Sequence, residues 1–152
     1  RYYFDAIEKK IPVFQSSVDF IHRLILSLPL GIASAAAREE IDFILRIMSL
    51  EHRFTAIVAA GDVKNGKPHP EAFLKTLEKL KKLRPGIEPE KVVVIEDSDR
   101  GIQSAHAAKM SCVGLTTSYP AERLEAADLV LENLQGWTLK KWGRALGNPL
   151  SI

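Results

Sequence analysis

Four polar side chains close or follow apolar runs of the sequence and could do chemistry together. Ser34 ends GIAS, Lys67 lies in GDVKNGKPHPE after TAIVA, and Glu96 and Asp97 end VVVIED. Two adjacent carboxylates offer the hard oxygen ligands that Mg²⁺ prefers, while a lysine and a hydroxyl can neutralise and hold phosphoryl oxygens. Together these residue types suit a site that positions and neutralises a transferring phosphoryl group.

Each of these side chains also has an ordinary structural explanation. Ser34 could cap the helix that follows it, and Lys67 could be an exposed lysine beside the turn at Asn65-Gly66. Glu96 and Asp97 precede a helical segment, where the helix dipole stabilises acids without any metal. Taken singly, none of the four therefore identifies a site.

Short β-branched runs alternate with longer amphipathic segments along the chain. The predicted strands are residues 30–34, 55–59, 92–97, 112–117 and 129–133, and the predicted helices are 37–48, 71–83 and 100–109. This alternation predicts an α/β fold, a Rossmann-like parallel sheet with flanking helices on both faces. Because ligands bind beyond the carboxyl ends of the strands in such sheets, we expect the four polar side chains to meet at one edge.

Four stretches of the chain resemble the haloacid dehalogenase superfamily, in its branch of phosphoglycolate phosphatases and β-phosphoglucomutases. They are IASAAAREE, GDVKNGKPHPEAFL, VVVIEDSDRGIQSAHAAKM and TSYPAERLEAADLVLENL, which stand in the family's order over residues 30–133. The resemblance implies a magnesium-dependent phosphatase that acts on a small phosphomonoester through an aspartyl-phosphate intermediate. The alternatives are a phosphosugar mutase of the same family and a non-catalytic, truncated interaction module.

The resemblance also assigns roles around the phosphoryl group. Ser34 and Lys67 are the expected catalytic residues: Ser34 hydrogen-bonds the phosphoryl oxygens, and Lys67 neutralises both them and the nucleophilic carboxylate. Ala35 and Arg38 complete the expected phosphate-binding set. β-Phosphoglucomutases carry more polar residues where three alanines stand here at 35–37, which favours hydrolysis over the mutase reaction.

The acidic pair matches the metal ligands of the same family. Asp97 is the expected direct ligand, and Glu96 is expected to assist it either directly or through water. Mg²⁺ accepts one or two carboxylates and completes its shell with substrate oxygens and water, so the resemblance implies Mg²⁺ as the cofactor.

The family's first motif, DxDxT or DxDxV, occurs nowhere in the sequence. The resemblance therefore places the nucleophilic aspartate outside this chain, and we expect the chain alone to be inactive. In that family the nucleophile strand lies between the strands that end here in Ser34 and Asp97, so its absence would leave a gap in the sheet with unpaired backbone groups. The missing N-terminal segment of the same protein, or another chain, is expected to fill the gap.

By the same resemblance, the chain divides into three parts. Residues 1–14 are predicted to be the end of a helical cap and its return linker, residues 15–142 a partial core domain, and residues 143–152 a C-terminal tail. Gln15-Ser16 departs from the family at the return, where a Pro-Gly turn is usual.

Composition limits the class of protein. A chain of 152 residues with 46% hydrophobic content can bury one core, and its net charge of +2 gives no polycationic surface for nucleic acid. No apolar run approaches the ~20 residues that span a membrane. The single cysteine, Cys112, lies in an apolar stretch and is expected to be a buried, reduced thiol. We therefore expect a cytoplasmic protein whose partner is a small phosphorylated metabolite, without nucleic acid or membrane.

Overall fold

Strands and helices alternate along the chain, as the apolar pattern predicts. A computed structural model of the protein describes residues 13–24 and 28–147. The helices are α1 (Gln15–Leu24), α2 (Arg38–Ile47), α3 (Glu71–Leu83), α4 (Asp99–Ala107) and α5 (Leu139–Ala145). The strands are β1 (Gly31–Ala33), β2 (Ala56–Val58), β3 (Val93–Glu96), β4 (Ser111–Leu115) and β5 (Leu129–Leu131).

The five strands form two sheets, and every pair of neighbours is parallel. β1 pairs with β2, with Ile32 beside Ile57. β3, β4 and β5 form the second sheet, in which Val94 lies beside Cys112 and Gly114 beside Val130. Parallel pairing with helices between the strands confirms the predicted α/β class.

A cleft of about 680 Å³ lies between β1 of the first sheet and β3 of the second. Apolar side chains such as Phe20, Leu80 and Trp142 line it together with the two strands. Among the described residues, no strand pairs with the edge of β1 or of β3 that borders the cleft. Ile95 of β3 lines the cleft and is 39% exposed, which is unusual for an isoleucine in a parallel sheet. The opening lies where the resemblance predicts the gap.

Three apolar clusters hold the helices to the sheets. Phe73 and Leu77 of α3 pack with Ile102 of α4 against β3 and β4. Phe20 of α1 packs on Trp142 of α5, with 4.8 Å between ring centroids. The third cluster joins α2 to the first sheet and contains Ile41, Leu45, Leu50 and Ala59. Full burial of such side chains stabilises the fold by about 1.5–3 kcal/mol each.

The ends of the chain are described only in part. Residues 1–12 and 148–152 lie outside the described residues, and with them most of the predicted cap remnant and half of the predicted tail. α1 begins at Gln15, where the core domain is predicted to start, and was not itself predicted. α5 runs past the predicted boundary at residue 142 to Ala145, anchored by Trp142, which is only 3% exposed. In the described part of the chain, no helix has the length and apolarity needed to cross a membrane.

Candidate active site

Lys67 connects the two sheets at the carboxyl ends of β1 and β3. Its Nζ donates a hydrogen bond to the carbonyl of Ala33, the last residue of β1, at 3.2 Å. The same ammonium forms an ion pair with the carboxylate of Glu96, the last residue of β3. Ala33 and Glu96 both line the cleft, so these contacts place a positive charge beside it. This placement agrees with the expectation that the carboxyl ends of parallel strands bring Lys67 and Glu96 to one edge of the fold.

The Lys67 side chain is largely enclosed. It is 19% exposed, and its Nζ lies 4.8 Å from the centroid of the Phe73 ring, within the range of a cation–π contact. An exposed lysine beside a turn would show neither contact. The structure therefore favours an enclosed, ion-paired lysine over the alternative that Lys67 is an exposed residue beside a turn.

Ser34 follows β1 and does not cap α2. Its backbone N–H donates to the Val58 carbonyl at 3.0 Å, which holds it to the end of β2. Its Oγ accepts from the N–H of Ala36 at 3.1 Å, whereas Ala37 occupies the N-cap position of α2. The hydroxyl thus shapes the loop after β1. Accepting that bond leaves the hydroxyl proton for another acceptor, such as a phosphoryl oxygen.

Glu96 is 9% exposed and its carboxylate is held by several donors. Besides Lys67, the Ser98 hydroxyl donates to it at 3.1 Å and the N–H of Asp97 at 3.3 Å. The carboxylate lies directly against Gly101 of α4, where a Cβ atom would overlap it. Glu96 is therefore a fixed counter-charge for Lys67. The stretch SDRGI has glycine at position 101 because a larger side chain there would overlap the Glu96 carboxylate.

Asp97 is half-buried at the same edge, and its Oδ2 accepts a hydrogen bond from the Ser118 hydroxyl. Ser118 lies in the loop after β4 and was not singled out from the sequence, although it belongs to the matched stretch TSYP. In the described residues no three His, Cys, Asp or Glu side chains cluster as metal ligands. Asp97 and Glu96 supply two carboxylates, which is the number Mg²⁺ accepts when substrate oxygens and water complete its shell.

The predicted phosphate-binding residues Ala35 and Arg38 are both exposed. Arg38 Nε donates to both carboxylate oxygens of Asp42, at 2.9 and 3.0 Å, and its side chain is 54% exposed. Ala35 belongs to the loop after Ser34, which is fixed by a 3.0 Å hydrogen bond from the Ala60 N–H to the Ala36 carbonyl. Of the predicted site residues, Lys67 and Glu96 are thus in contact, whereas Arg38 pairs with Asp42 of its own helix, α2.

Glu71 organises the first half of the lysine loop, and sequence reasoning missed it. Its carboxylate accepts from the backbone N–H groups of Lys64 at 3.0 Å and Asn65 at 2.9 Å, and pairs with Lys75 at 2.8 Å. The Lys75 hydrogen bond, followed by the two backbone N–H groups, lowers the pKa of Glu71 to about 2. The usual search for helix-capping residues could not reveal Glu71, because its carboxylate accepts hydrogen bonds from residues that lie six and seven positions earlier in the chain.

The chain is similar to known proteins over most of its length. A family model described as haloacid dehalogenase-like hydrolase matches residues 1–115. The chain is 32% identical over 119 residues to the validoxylamine A 7'-phosphate phosphatase of Streptomyces hygroscopicus subsp. limoneus, covering 78% of this chain and 54% of that protein. It is 30% identical over 152 residues to the phosphoglycolate phosphatase of Escherichia coli K12, covering 99% of this chain and 58% of that protein.

A solved structure shows the same likeness. The crystal structure of β-phosphoglucomutase from Clostridium difficile superposes with a TM-score of 0.75 at 26% identity, covering 96% of this chain and 62% of that one. The chain therefore spans between 54% and 62% of the length of these three proteins. Fold and matched stretches agree with the branch that the sequence resembles.

Proposed function

The chain belongs to the haloacid dehalogenase-like hydrolases, and we propose that, with a carboxylate-bearing strand outside residues 1–152, it forms a magnesium-dependent phosphatase for small phosphomonoesters. One observation carries the proposal: the Lys67 ammonium contacts both Ala33 at the end of β1 and Glu96 at the end of β3, two residues that line the cleft. Positive charge at that point is what a transferring phosphoryl group and an attacking carboxylate require.

The residues of this chain bind and neutralise the phosphoryl group. Lys67 compensates the charge on its oxygens, and the Ser34 hydroxyl donates a hydrogen bond to one of them. Asp97, assisted by Glu96, would hold Mg²⁺, which would add positive charge on the same oxygens when bound. Glu96 also holds the Lys67 ammonium at the end of β3.

We place the bond-forming carboxylate outside residues 1–152, because the family's DxDxT or DxDxV motif does not occur in them. A carboxylate oxygen attacks phosphorus, the ester P–O bond breaks, and the leaving alkoxide takes up a proton from solvent, which the attacking water of the second step returns. Water then attacks the aspartyl phosphate, which returns the carboxylate and releases inorganic phosphate. Charge from Lys67 and a metal ion alone cannot replace this nucleophile.

The cleft supports a strand as the carrier of that carboxylate. β1 and β3 both present an edge without a strand neighbour among the described residues, and such edges bind a further strand through backbone hydrogen bonds. Apolar side chains line the cleft, and Ile95 is incompletely buried there. A parallel strand in this position would bring its carboxyl end to Lys67.

Hydrolysis fits the site better than the mutase alternative. A mutase must also hold a second, distal phosphate, yet residues 35–37 are alanines and Arg38 is engaged with Asp42. The unpaired sheet edges of the described residues would equally suit a non-catalytic interaction module, but such a module has no need of an enclosed lysine paired with the Glu96 carboxylate.

The test compares residues 1–152 alone with the same chain supplied with the proposed N-terminal segment that carries the carboxylate (the upstream segment). We expect no hydrolysis of an aryl phosphate by the purified chain, and hydrolysis that depends on millimolar Mg²⁺ after the segment is added. Unfolding should become more cooperative at the same time. Substantial Mg²⁺-dependent turnover by the chain alone would disprove the external nucleophile. Asp5, the first aspartate of the sequence, would then be the first residue to replace.

A further inference from the structure

Two side chains of α4 hold the backbone of the lysine loop. Arg100 Nε donates to the Lys67 carbonyl at 2.9 Å, and its Nη2 donates to the same oxygen. Ser104 Oγ donates to the His69 carbonyl at 2.8 Å. Residues four apart on a helix lie on one face, one turn above the other. One face of α4 therefore donates hydrogen bonds to two carbonyl groups of the lysine loop.

These two contacts have different surroundings. Ser104 is fully buried, so without its hydroxyl the His69 carbonyl would lose a partner in a place where water cannot easily replace it. Arg100 is exposed, but its planar guanidinium directs two N–H groups at one carbonyl, which fixes the direction of the contact. Glu71 holds residues 64 and 65 on the other side of the loop. Lys67 and His69 themselves are thus held from α4.

The position of α4 makes this connection informative. The helix begins two residues after Asp97, and its N-cap Ser98 donates to the Glu96 carboxylate at 3.1 Å. The helix whose N-cap holds the Glu96 carboxylate therefore also fixes the backbone of the lysine. Since a lysine side chain is long and flexible, the position of its backbone decides which groups its ammonium can reach.

We propose that Arg100 and Ser104 are positioning residues that set the place of the Lys67 ammonium relative to the acidic pair. This inference rests on the proposed function, because it assigns these residues a role in phosphoryl transfer through Lys67. A misplacement of about 1 Å at a catalytic group can lower the rate on the order of 10²-fold. The loss should appear in kcat, since both side chains contact the backbone of the lysine loop.

The experiment uses the protein with its upstream segment, an aryl phosphate and saturating Mg²⁺. Arg100→Ala and Ser104→Ala should each lower kcat on the order of 10- to 100-fold with little change in KM. Arg100→Lys should recover part of the loss, because it restores one donor. Gln103→Ala, at an exposed position of the same helix, is the control and should retain the wild-type rate.

A double-variant comparison separates positioning from general stability. If Arg100 acts through Lys67, adding Arg100→Ala to Lys67→Ala should not lower kcat further. Further loss in that background, or a loss in Arg100→Ala that Arg100→Lys does not reduce, would overturn the inference. Wild-type kcat in both Arg100→Ala and Ser104→Ala, with activity still dependent on Lys67, would overturn it while leaving the proposed function intact. If Lys67→Ala itself kept full activity, the proposed function would fail.

Discussion

The ammonium of Lys67 and the carboxylate of Glu96 pair across the opening between two sheets that share no backbone hydrogen bonds in the described residues. Their side chains are 19% and 8% exposed, so solvent screens the pair weakly. A carboxylate arriving on a strand in the cleft would meet an ammonium already held in place. The Lys67–Glu96 ion pair therefore affects both the free energy of unfolding and the proposed phosphatase activity. Substitutions of the two residues can separate these effects.

Lys67→Ala should reduce both turnover and stability. Removing a preorganised charge at a phosphoryl site is expected to lower kcat by about 10²–10³-fold. It also leaves the enclosed Glu96 carboxylate without its cation, at a cost of roughly 3 kcal/mol. Steady-state kinetics of the protein with its upstream segment and denaturant unfolding of the chain measure these effects. Lys67→Ala combined with Glu96→Gln should regain most of the stability and none of the activity. Recovery of activity in the double variant would contradict the catalytic role.

Asp97→Asn should abolish activation by Mg²⁺ because an amide oxygen replaces the charged ligand. The measurement is a Mg²⁺ titration of phosphate release by the protein with its upstream segment. Asp99→Asn is the matched control: this carboxylate lies two residues away, is 43% exposed and pairs with Arg123 at 3.4 Å. The control should keep the wild-type response. An unchanged Mg²⁺ response in Asp97→Asn would remove Asp97 from the proposed metal site.

Glu71 should make the stability of the chain depend on pH in the acid range. Its folded pKa of about 2 lies below its ordinary value of 4.5, because Lys75 and two backbone N–H groups stabilise the carboxylate. A depressed folded pKa contributes stability that is fully present above pH 4.5 and is lost as the pH falls toward 2. Denaturant unfolding between these limits should therefore show a larger loss for the wild type than for Glu71→Gln. Equal slopes would mean that the carboxylate does not brace the loop.

Cys112 should be unreactive in the folded protein. Burial, followed by the negative charges of Glu96 and Asp128, raises the pKa of its thiol to about 12, so almost no thiolate exists at pH 8. An aromatic disulfide reagent should label the chain only as fast as it unfolds, and at once in denaturant. Rapid labelling under native conditions would show that β4 opens locally.

The order of strands and the residues at their ends could be predicted, because both are written in local sequence. Apolar runs gave β1 to β5 within one or two residues at most ends, and chain order placed Lys67 in a loop at the site. The pairing of Lys67 with Glu96 could not be predicted, since it joins residues 29 positions apart through a fold in which the sheets are separate. The same holds for Arg100, Ser104 and Ser118, whose partners lie 21 to 35 positions away.

Local signals also explain the differences between prediction and structure. The apolar pattern of α3 includes Leu74 and Leu83, yet these are 39% and 63% exposed. The face of α3 that packs against the sheets is narrower than the apolar face that the sequence predicts. Ser34 has the residue type of a helix cap but follows β1 three residues before Ala37, so it shapes the loop instead. Side-chain type alone cannot distinguish these roles.

Gly101→Ala should destabilise the chain although alanine is the better helix former. Helix propensity alone would favour alanine by about 1 kcal/mol. However, the new Cβ would overlap the Glu96 carboxylate, which is enclosed and tied to Lys67 and Ser98. Overpacking of this kind costs about 1–3 kcal/mol, so we expect a net loss in the free energy of unfolding. Gly61→Ala is the control, because no atom lies within 4 Å of the position that its Cβ would take. Combining Gly101→Ala with Glu96→Ala removes the overlapping group, and alanine at 101 should then stabilise the helix relative to Glu96→Ala alone. If Gly101→Ala is as destabilising in that background as in the wild type, contact with Glu96 is not the reason for the glycine.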